Sequence, residues 1–307
     1  MNKKKLIIGT RSSKLALWQA NYIAECIRNQ YPDLEVSLRH IMTTGDKILD
    51  VPLAKIGGKG LFTKELENAM LAEEIDLAVH SLKDMPTQLP EGLVLAVITE
   101  RVDPGDALIS PQYHTIDNLP QGAKVGTSSL RRKAQLLKYR PDLKISDLRG
   151  NLDTRLKKMD TEKLDAIILA VAGLKRLGWQ ELITQVLPNE ICLPAVGQGA
   201  LALEARANDH EVLAILEFLN HQETRWAAEA ERAYLAEVEG GCQIPIGVYA
   251  YVEKDVLSLE ATILSVDGKR QLRQTVSGQP SEGIKLGRVL AQEMLDAGGR
   301  EILQELQ

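Results

Sequence analysis

The chain has 307 residues, of which 44% are hydrophobic, 26% charged and 4% aromatic, and its formal net charge is −5. At the usual ~100–200 residues per domain this length predicts two or three domains, and the composition excludes a wholly disordered chain. An acidic balance and only two phenylalanines exclude a dedicated nucleic-acid binder that stacks bases on aromatic platforms.

Met1-Asn2-Lys3-Lys4-Lys5 imitates the basic end of a signal peptide, but the apolar run after it stops before Arg11, too short for the hydrophobic region. Periodicity then predicts a strand over 6–9, a helix over 14–29, a strand over 36–42, a helix over 61–73, and strands over 76–80 and 93–99. Arg101-Val102-Asp103-Pro104-Gly105-Asp106 interrupts this rhythm with turn chemistry. It restarts with a strand over 124–126, a helix over 129–139, a strand over 144–147 and a helix over 151–159. A strand over 165–170 with a helical turn follows. The longest apolar run, 166–174, is far below the ~20 residues that span a bilayer, so the chain reads as cytoplasmic, with no membrane partner.

A second break falls at Leu187-Pro188 and Leu193-Pro194, before a strand over 200–205 and a helix over 211–219. The last third differs: a long helix over 223–239 ends at Gly240-Gly241, a C-cap pair. An antiparallel meander over 248–252, 256–264 and 271–276 and a helix over 281–297 follow. The fold class is α/β: two α/β units joined by two hinge-like segments, plus a small α+β domain.

Charge is unevenly spread. Residues 124–176 hold 14 Lys or Arg and 6 Asp or Glu, a local +8, which leaves −13 for the rest. Such a block is either a confined anion site or a solvated basic face. One arrangement recurs: a strand ends, hydroxyl residues follow, and arginines sit at the start of the next helix. It occurs at Thr10-Arg11-Ser12-Ser13, at Thr127-Ser128-Ser129-Leu130-Arg131-Arg132, and at Arg149-Gly150-Asn151 with Arg155. Ser and Thr are ordinary caps, but helix N-termini and the strand ends of open sheets also hold anions, and Arg grips carboxylates bidentately.

Gly57-Gly58-Lys59-Gly60 lacks the spacing of a phosphate-binding loop and reads as a lid or a plain turn. In His80-Ser81-Leu82-Lys83-Asp84-Met85-Pro86, Asp84 is either a carboxylate placed to stabilise a cation and move protons or the start of a turn. The three cysteines, Cys26, Cys192 and Cys242, give no disulfide framework and no zinc spacing. Cys242 follows a helix C-terminus, which does not favour a thiolate.

These segments, with Lys59-Gly60-Leu61-Phe62, Leu193-Pro194-Ala195-Val196-Gly197-Gln198-Gly199 and Glu239-Gly240-Gly241-Cys242, resemble the porphobilinogen deaminase (hydroxymethylbilane synthase) family over 6–306. Thr44 stands where that family often has Arg, and Leu152-Asp153 replaces a more usual Val followed by a small or polar residue. The resemblance implies two type II periplasmic-binding-protein-like domains with a cleft between them, 1–99 with 200–219 and 104–194. A small C-terminal domain, 222–307, carries the cofactor cysteine. The implied reaction joins four porphobilinogens head to tail with loss of ammonia. Water then releases linear hydroxymethylbilane from a dipyrromethane primer held by a thioether to Cys242. A strongly activated thiolate is unnecessary if that thiol meets an azafulvene cation.

The resemblance assigns catalysis to Asp84, and the carboxylates of primer and substrate to Arg11, Lys83, Ser129, Arg131, Arg132, Arg149, Arg155 and Arg176. It puts Lys59, Phe62, Ser81, Thr127, Asn151 and Gln198 at the cleft or lid. No metal is implied. A monomer that hands its product to uroporphyrinogen-III synthase is expected, with no nucleic-acid partner. The other reading is a non-enzymatic two-lobed protein that closes on a carboxylate or phosphate; it leaves Asp84 and Cys242 without a purpose.

Overall fold

A computed structural model describes residues 3–47, 60–238 and 244–305. Contacts divide the chain into two compact units, 1–101 with 200–225, and 102–199 with 226–307.

The first unit is built on β1 (Lys5–Thr10), β2 (Glu35–His40), β3 (Leu77–Ser81), β4 (Leu93–Ile98) and β10 (Leu201–Arg206), in the order β2-β1-β3-β10-β4. β1 pairs in parallel with β2 and β3, whereas β10 runs antiparallel to both its neighbours. Helix α1 (Lys14–Gln30) covers one face. Ser13 caps it by accepting from Ala16 N, and Ala16, Ala20, Ile23, Ala24 and Ile27 form its buried stripe. Helix α2 (Lys64–Leu71) lays Leu66 and Met70 on the other face, against Ile75 and Ala78. It begins three residues later than periodicity predicts, because Gly60–Thr63 form a turn.

The second unit repeats that plan. Its strands are β5 (Asp106–Ile109), β6 (Lys124–Gly126), β7 (Lys144–Ser146), β8 (Ala166–Ala170) and β9 (Gln185–Leu187), in the order β7-β6-β8-β5-β9. β6 is parallel to β7 and β8, and β5 is antiparallel to β8 and β9. In both sheets the antiparallel strand is the fourth, and in both it is the strand that follows a crossover. The crossover after β4 delivers β5; the crossover after β9 delivers β10. Two α/β sheets that exchange their fourth strands are the expected type II periplasmic-binding-protein-like pair. Helices α3 (Leu130–Tyr139), α4 (Leu152–Thr161) and α5 (Val171–Arg176) follow β6, β7 and β8. β5 and β9 are absent from the sequence reading.

Helix α6 (His210–Leu216) packs Val212, Ile215 and Leu216 onto the first sheet. Helix α7 (Gln222–Glu237) leads into the antiparallel meander of β11 (Ile246–Glu253), β12 (Val256–Leu264) and β13 (Gln271–Gly278), which α8 (Gly283–Met294) covers. This C-terminal sheet is anchored on the second lobe. Val248 N–H donates to Pro194 O at 2.9 Å and Arg273 Nη2 to Asn189 O at 3.0 Å. The β12–β13 turn presses on α3: a Cβ on Gly268 would lie 2.5 Å from Lys138 N. Only glycine fits there.

Candidate active site

In each unit the parallel strands place their carboxyl ends at one edge, where open α/β sheets bind ligands. In the first unit, β1 ends at Thr10 and is followed by Arg11. Arg11 is not turned outward as a free fork. Its Nε donates to Asp46 Oδ1 at 3.1 Å and its Nη2 to the same oxygen at 2.5 Å, and its guanidinium lies 4.2 Å from the Phe62 ring centroid. Thr43 Oγ1 donates to Asp46 Oδ2 at 2.7 Å. Partial burial opposes ionisation of Asp46, but Arg11 and Thr43 outweigh it, and the carboxyl sits below its usual range. Phe62 is thereby tied to Arg11. Thr44, the departure from the family pattern, donates its N–H to Glu65 at 2.8 Å.

β3 ends at Ser81, which accepts from Gln19 Nε2 at 2.8 Å. One tight turn, Leu82–Asp84, follows. Leu82 and Met85 are buried and Leu82 N–H donates to Ala200 O at 3.1 Å, so the backbone is pinned on both sides of Asp84. The Asp84 carboxylate is exposed and Lys83 beside it is half-buried. Behind this turn, His80 Nε2 lies 3.2 Å from Glu204 Oε2, misaligned for a hydrogen bond, and both side chains are buried. Burial, then the nearby Glu204, raises the carboxyl pKa of Glu67 on α2.

In the second unit the hydroxyls of the 127–129 motif are largely spent on backbone. Thr127 Oγ1 accepts from Ser129 N, Ser128 Oγ donates to Leu148 O at 2.9 Å, and Ser129 caps α3 by accepting from Arg132 N. The 148–151 loop is thereby fixed beside the α3 N-terminus. Gly150 has φ +113°, which suits glycine, and its carbonyl accepts from Arg155 Nε at 2.8 Å. Arg149 is half-buried and Asn151, at the N-cap of α4, is exposed. Arg149, Asn151 and Arg155 therefore share one loop and helix start, next to Ser129.

Arg131 and Arg132 are only 5% exposed. The strand-end pattern predicts two forks aimed at a ligand; instead both converge on Asp106, at the start of β5 and fully buried. Arg131 Nη1 donates to Asp106 Oδ2 at 2.6 Å and to Leu193 O at 2.7 Å. Arg132 Nε and Nη2 donate to Asp106 Oδ1 at 3.0 and 2.6 Å, and its Nη1 to Ile168 O at 3.0 Å. Burial opposes the charge on Asp106, but the two guanidiniums overcome it and hold the carboxyl far below its ordinary range. The same carboxylate raises the pKa of Arg131 against the effect of burial. Cys192 Sγ lies 3.3 Å from Asp106, and burial, then that charge, pushes its thiol up to about 12, so it is inert.

Gln198, expected at the cleft, is 1% exposed. Its Nε2 donates to Pro104 O at 2.6 Å and Asp106 Oδ1 at 2.9 Å, joining the two crossover segments. Arg176 is buried and its Nη2 donates to Gly199 O at 2.6 Å. Asp106 is the important residue that sequence reasoning missed. Its available signal was an acid directly before an apolar run in a protein with excess arginine, and a turn explained that equally well. Cys242 and Lys59 lie outside the described residues. Among the described residues no helix is long and apolar enough to cross a membrane, and no group of three or more His, Cys, Asp or Glu could hold a metal ion.

Two family models match in order: "Porphobilinogen deaminase, dipyromethane cofactor binding domain" over residues 6–214, and "Porphobilinogen deaminase, C-terminal domain" over residues 226–296. The chain is 55% identical over 306 residues to the porphobilinogen deaminase of Geobacter sulfurreducens, covering 100% of this chain and 96% of that one. It is 51% identical over 304 residues to that of Desulforamulus reducens, covering 99% and 98%. Among solved structures, the aliphatic sulphonate binding protein SsuA of Escherichia coli matches at 16% identity and a TM-score of 0.41, over 78% of this chain and 71% of that one. Two consecutive family models and full-length identity above one half leave one assignment: the chain belongs to the porphobilinogen deaminase family.

Proposed function

We infer that the chain condenses four porphobilinogens head to tail, with loss of ammonia, on a covalent dipyrromethane primer, and releases linear hydroxymethylbilane by hydrolysis. Full-length identity to porphobilinogen deaminases carries this reading. It makes the protein a transferase of tetrapyrrole and heme biosynthesis. No observation favours the non-enzymatic binding protein.

The described residues suit a polycarboxylate primer. Two buried guanidiniums face one carboxylate at Asp106, an excess of positive charge that an anionic ligand completes. We assign Lys83, Ser129, Arg131, Arg149 and Arg155 to primer and substrate carboxylates directly, and Arg132 to them through Asp106, which it holds. Arg11 and Arg176 support the same edges, and Ser81, Thr127 and Asn151 line them. Cys242 is the assigned attachment point. When bound, the primer supplies the nucleophilic pyrrole carbon on which the chain grows.

Asp84 is the assigned catalytic group. Its carboxylate accepts the pyrrole N–H of an incoming porphobilinogen and, as a fixed anion, stabilises the cationic charge that develops there as ammonia leaves. It also moves protons at that nitrogen. The rigid turn matters because an anion that need not reorient costs nothing to aim at the moment of reaction.

Domain limits of 1–99 with 200–219, 104–194 and 222–307 belong to this reading. So do a cytoplasmic monomer and delivery of the product to uroporphyrinogen-III synthase. Intact mass is the test. Protein from a host that makes porphobilinogen should exceed the chain mass by one dipyrromethane, and Cys242→Ser should abolish the excess. An unmodified wild-type mass overturns the reading.

A further inference from the structure

The two arginines at the start of α3 divide their nitrogens unequally. Arg132 commits Nε, Nη1 and Nη2 to Asp106 and Ile168 O. Arg131 commits Nη1 alone, to Asp106, Leu193 O and the Cys192 sulfur. Its Nε and Nη2, the edge that grips a carboxylate bidentately, make no hydrogen bond among the described residues. The orientation of one carboxylate sets this asymmetry. Asp106 turns Oδ1 to Arg132 and Oδ2 to Arg131, and Gln198 Nε2 donates to Oδ1 at 2.9 Å, fixing the plane of the carboxylate from the crossover side.

Asp106 cancels one of two buried positive charges. The remaining one sits on a side chain with 6% of its surface exposed, where an uncompensated charge is costly unless an anion completes it.

We propose that Asp106 is a positioning residue: it holds Arg131 and Arg132 so that the Nε–Nη2 edge of Arg131 is kept for a ligand carboxylate, with Gln198 holding Asp106. The ligand chemistry is a pyrrole-borne carboxylate, carried by both primer and incoming porphobilinogen. This rests on the function inferred above.

The test has two arms. Primer-free protein, from a host without a porphobilinogen supply, is incubated with porphobilinogen and followed by intact mass; adduct uptake reports the primer's carboxylates. Primer-loaded protein is assayed for KM and kcat; KM reports those of the incoming substrate. Asp106→Asn, shown to be folded by circular dichroism, should slow uptake or raise KM at least tenfold with a smaller change in kcat. Asp106→Glu should recover to within about threefold of wild type. Gln198→Met keeps both arginine–Asp106 pairs and should give a threefold to tenfold effect in the same arm. It decides the matter if Asp106→Asn does not fold. Folded variants with lower melting temperatures but uptake and KM within twofold of wild type overturn the proposal, since Asp106 would then be purely structural. If wild-type protein itself takes up no adduct, the underlying function fails instead.

Discussion

Replacing Arg132 with methionine removes three charge-assisted donors from the buried network, two to Asp106 and one to Ile168 O. Breaking a buried ion pair by deleting one partner costs about 3–5 kcal/mol. Two features reduce that here. Asp106 keeps Arg131 at 2.6 Å and Gln198 at 2.9 Å, and the Arg–Asp–Arg trio falls from net +1 to neutral. Methionine also refills most of the volume. The expected loss is about 2–4 kcal/mol, or a melting temperature lower by about 4–16 °C at the ~2–4 °C per kcal/mol of domains this large. Thermal unfolding followed by circular dichroism, on primer-free protein, measures it. Arg131→Met removes a comparable set of internal bonds, so its melting temperature should fall by a similar amount, but it also removes the outward edge and should impair primer uptake more. An unchanged melting temperature for Arg132→Met would mean that the buried Arg–Asp–Arg network adds no stability, and equal uptake by the two variants would mean that the Arg131 edge is not kept for a ligand.

Asp84→Asn should fold normally, because Leu82 and Met85 pin the turn, and should keep its adduct while turning over ~10²–10³-fold more slowly; a near-wild-type rate removes Asp84 from the chemistry. Glu67 has a raised carboxyl pKa through burial, so its ionised form costs stability above that pKa, and the cost vanishes below the unfolded value near ~4.3. Glu67→Gln should therefore raise the melting temperature at pH 8 and lose that advantage toward pH 4; a gain that grows on acidification contradicts the assignment. Cys192, buried with its thiol pushed up to about 12, should resist maleimide at pH 8 until the protein is denatured, and labelling of native protein at Cys192 in a peptide digest would be the contrary result.

Long apolar or periodic segments could be read from the sequence because each reports its own burial. The 6–9 run, the Ala-Ile stripe of α1 and the C-terminal meander all correspond to observed elements. β5 could not be read. Pro104-Gly105-Asp106 is ordinary turn chemistry, and the three apolar residues after it are too few to show alternation. What makes Asp106 a buried strand residue is a pair of arginines 25 and 26 positions later. β9 was hidden likewise, three residues long and closed by Pro188. The arginine-rich strand ends were visible, but not how their charges are shared. Asp46 meets Arg11 from 35 residues away, and Gln198, read as a cleft residue, is buried against the first crossover. Local pattern carries the elements; the pairing of buried charges is a property of the tertiary fold.

Turnover of porphobilinogen can be followed by stoichiometry. Purified protein is mixed with porphobilinogen, and substrate loss, ammonia and the quenched product are measured together. The expected result is one ammonia for each porphobilinogen consumed and one linear tetrapyrrole for every four. Porphobilinogen that binds and raises the melting temperature, with no ammonia released, would contradict it and leave a two-lobed binding protein in its place.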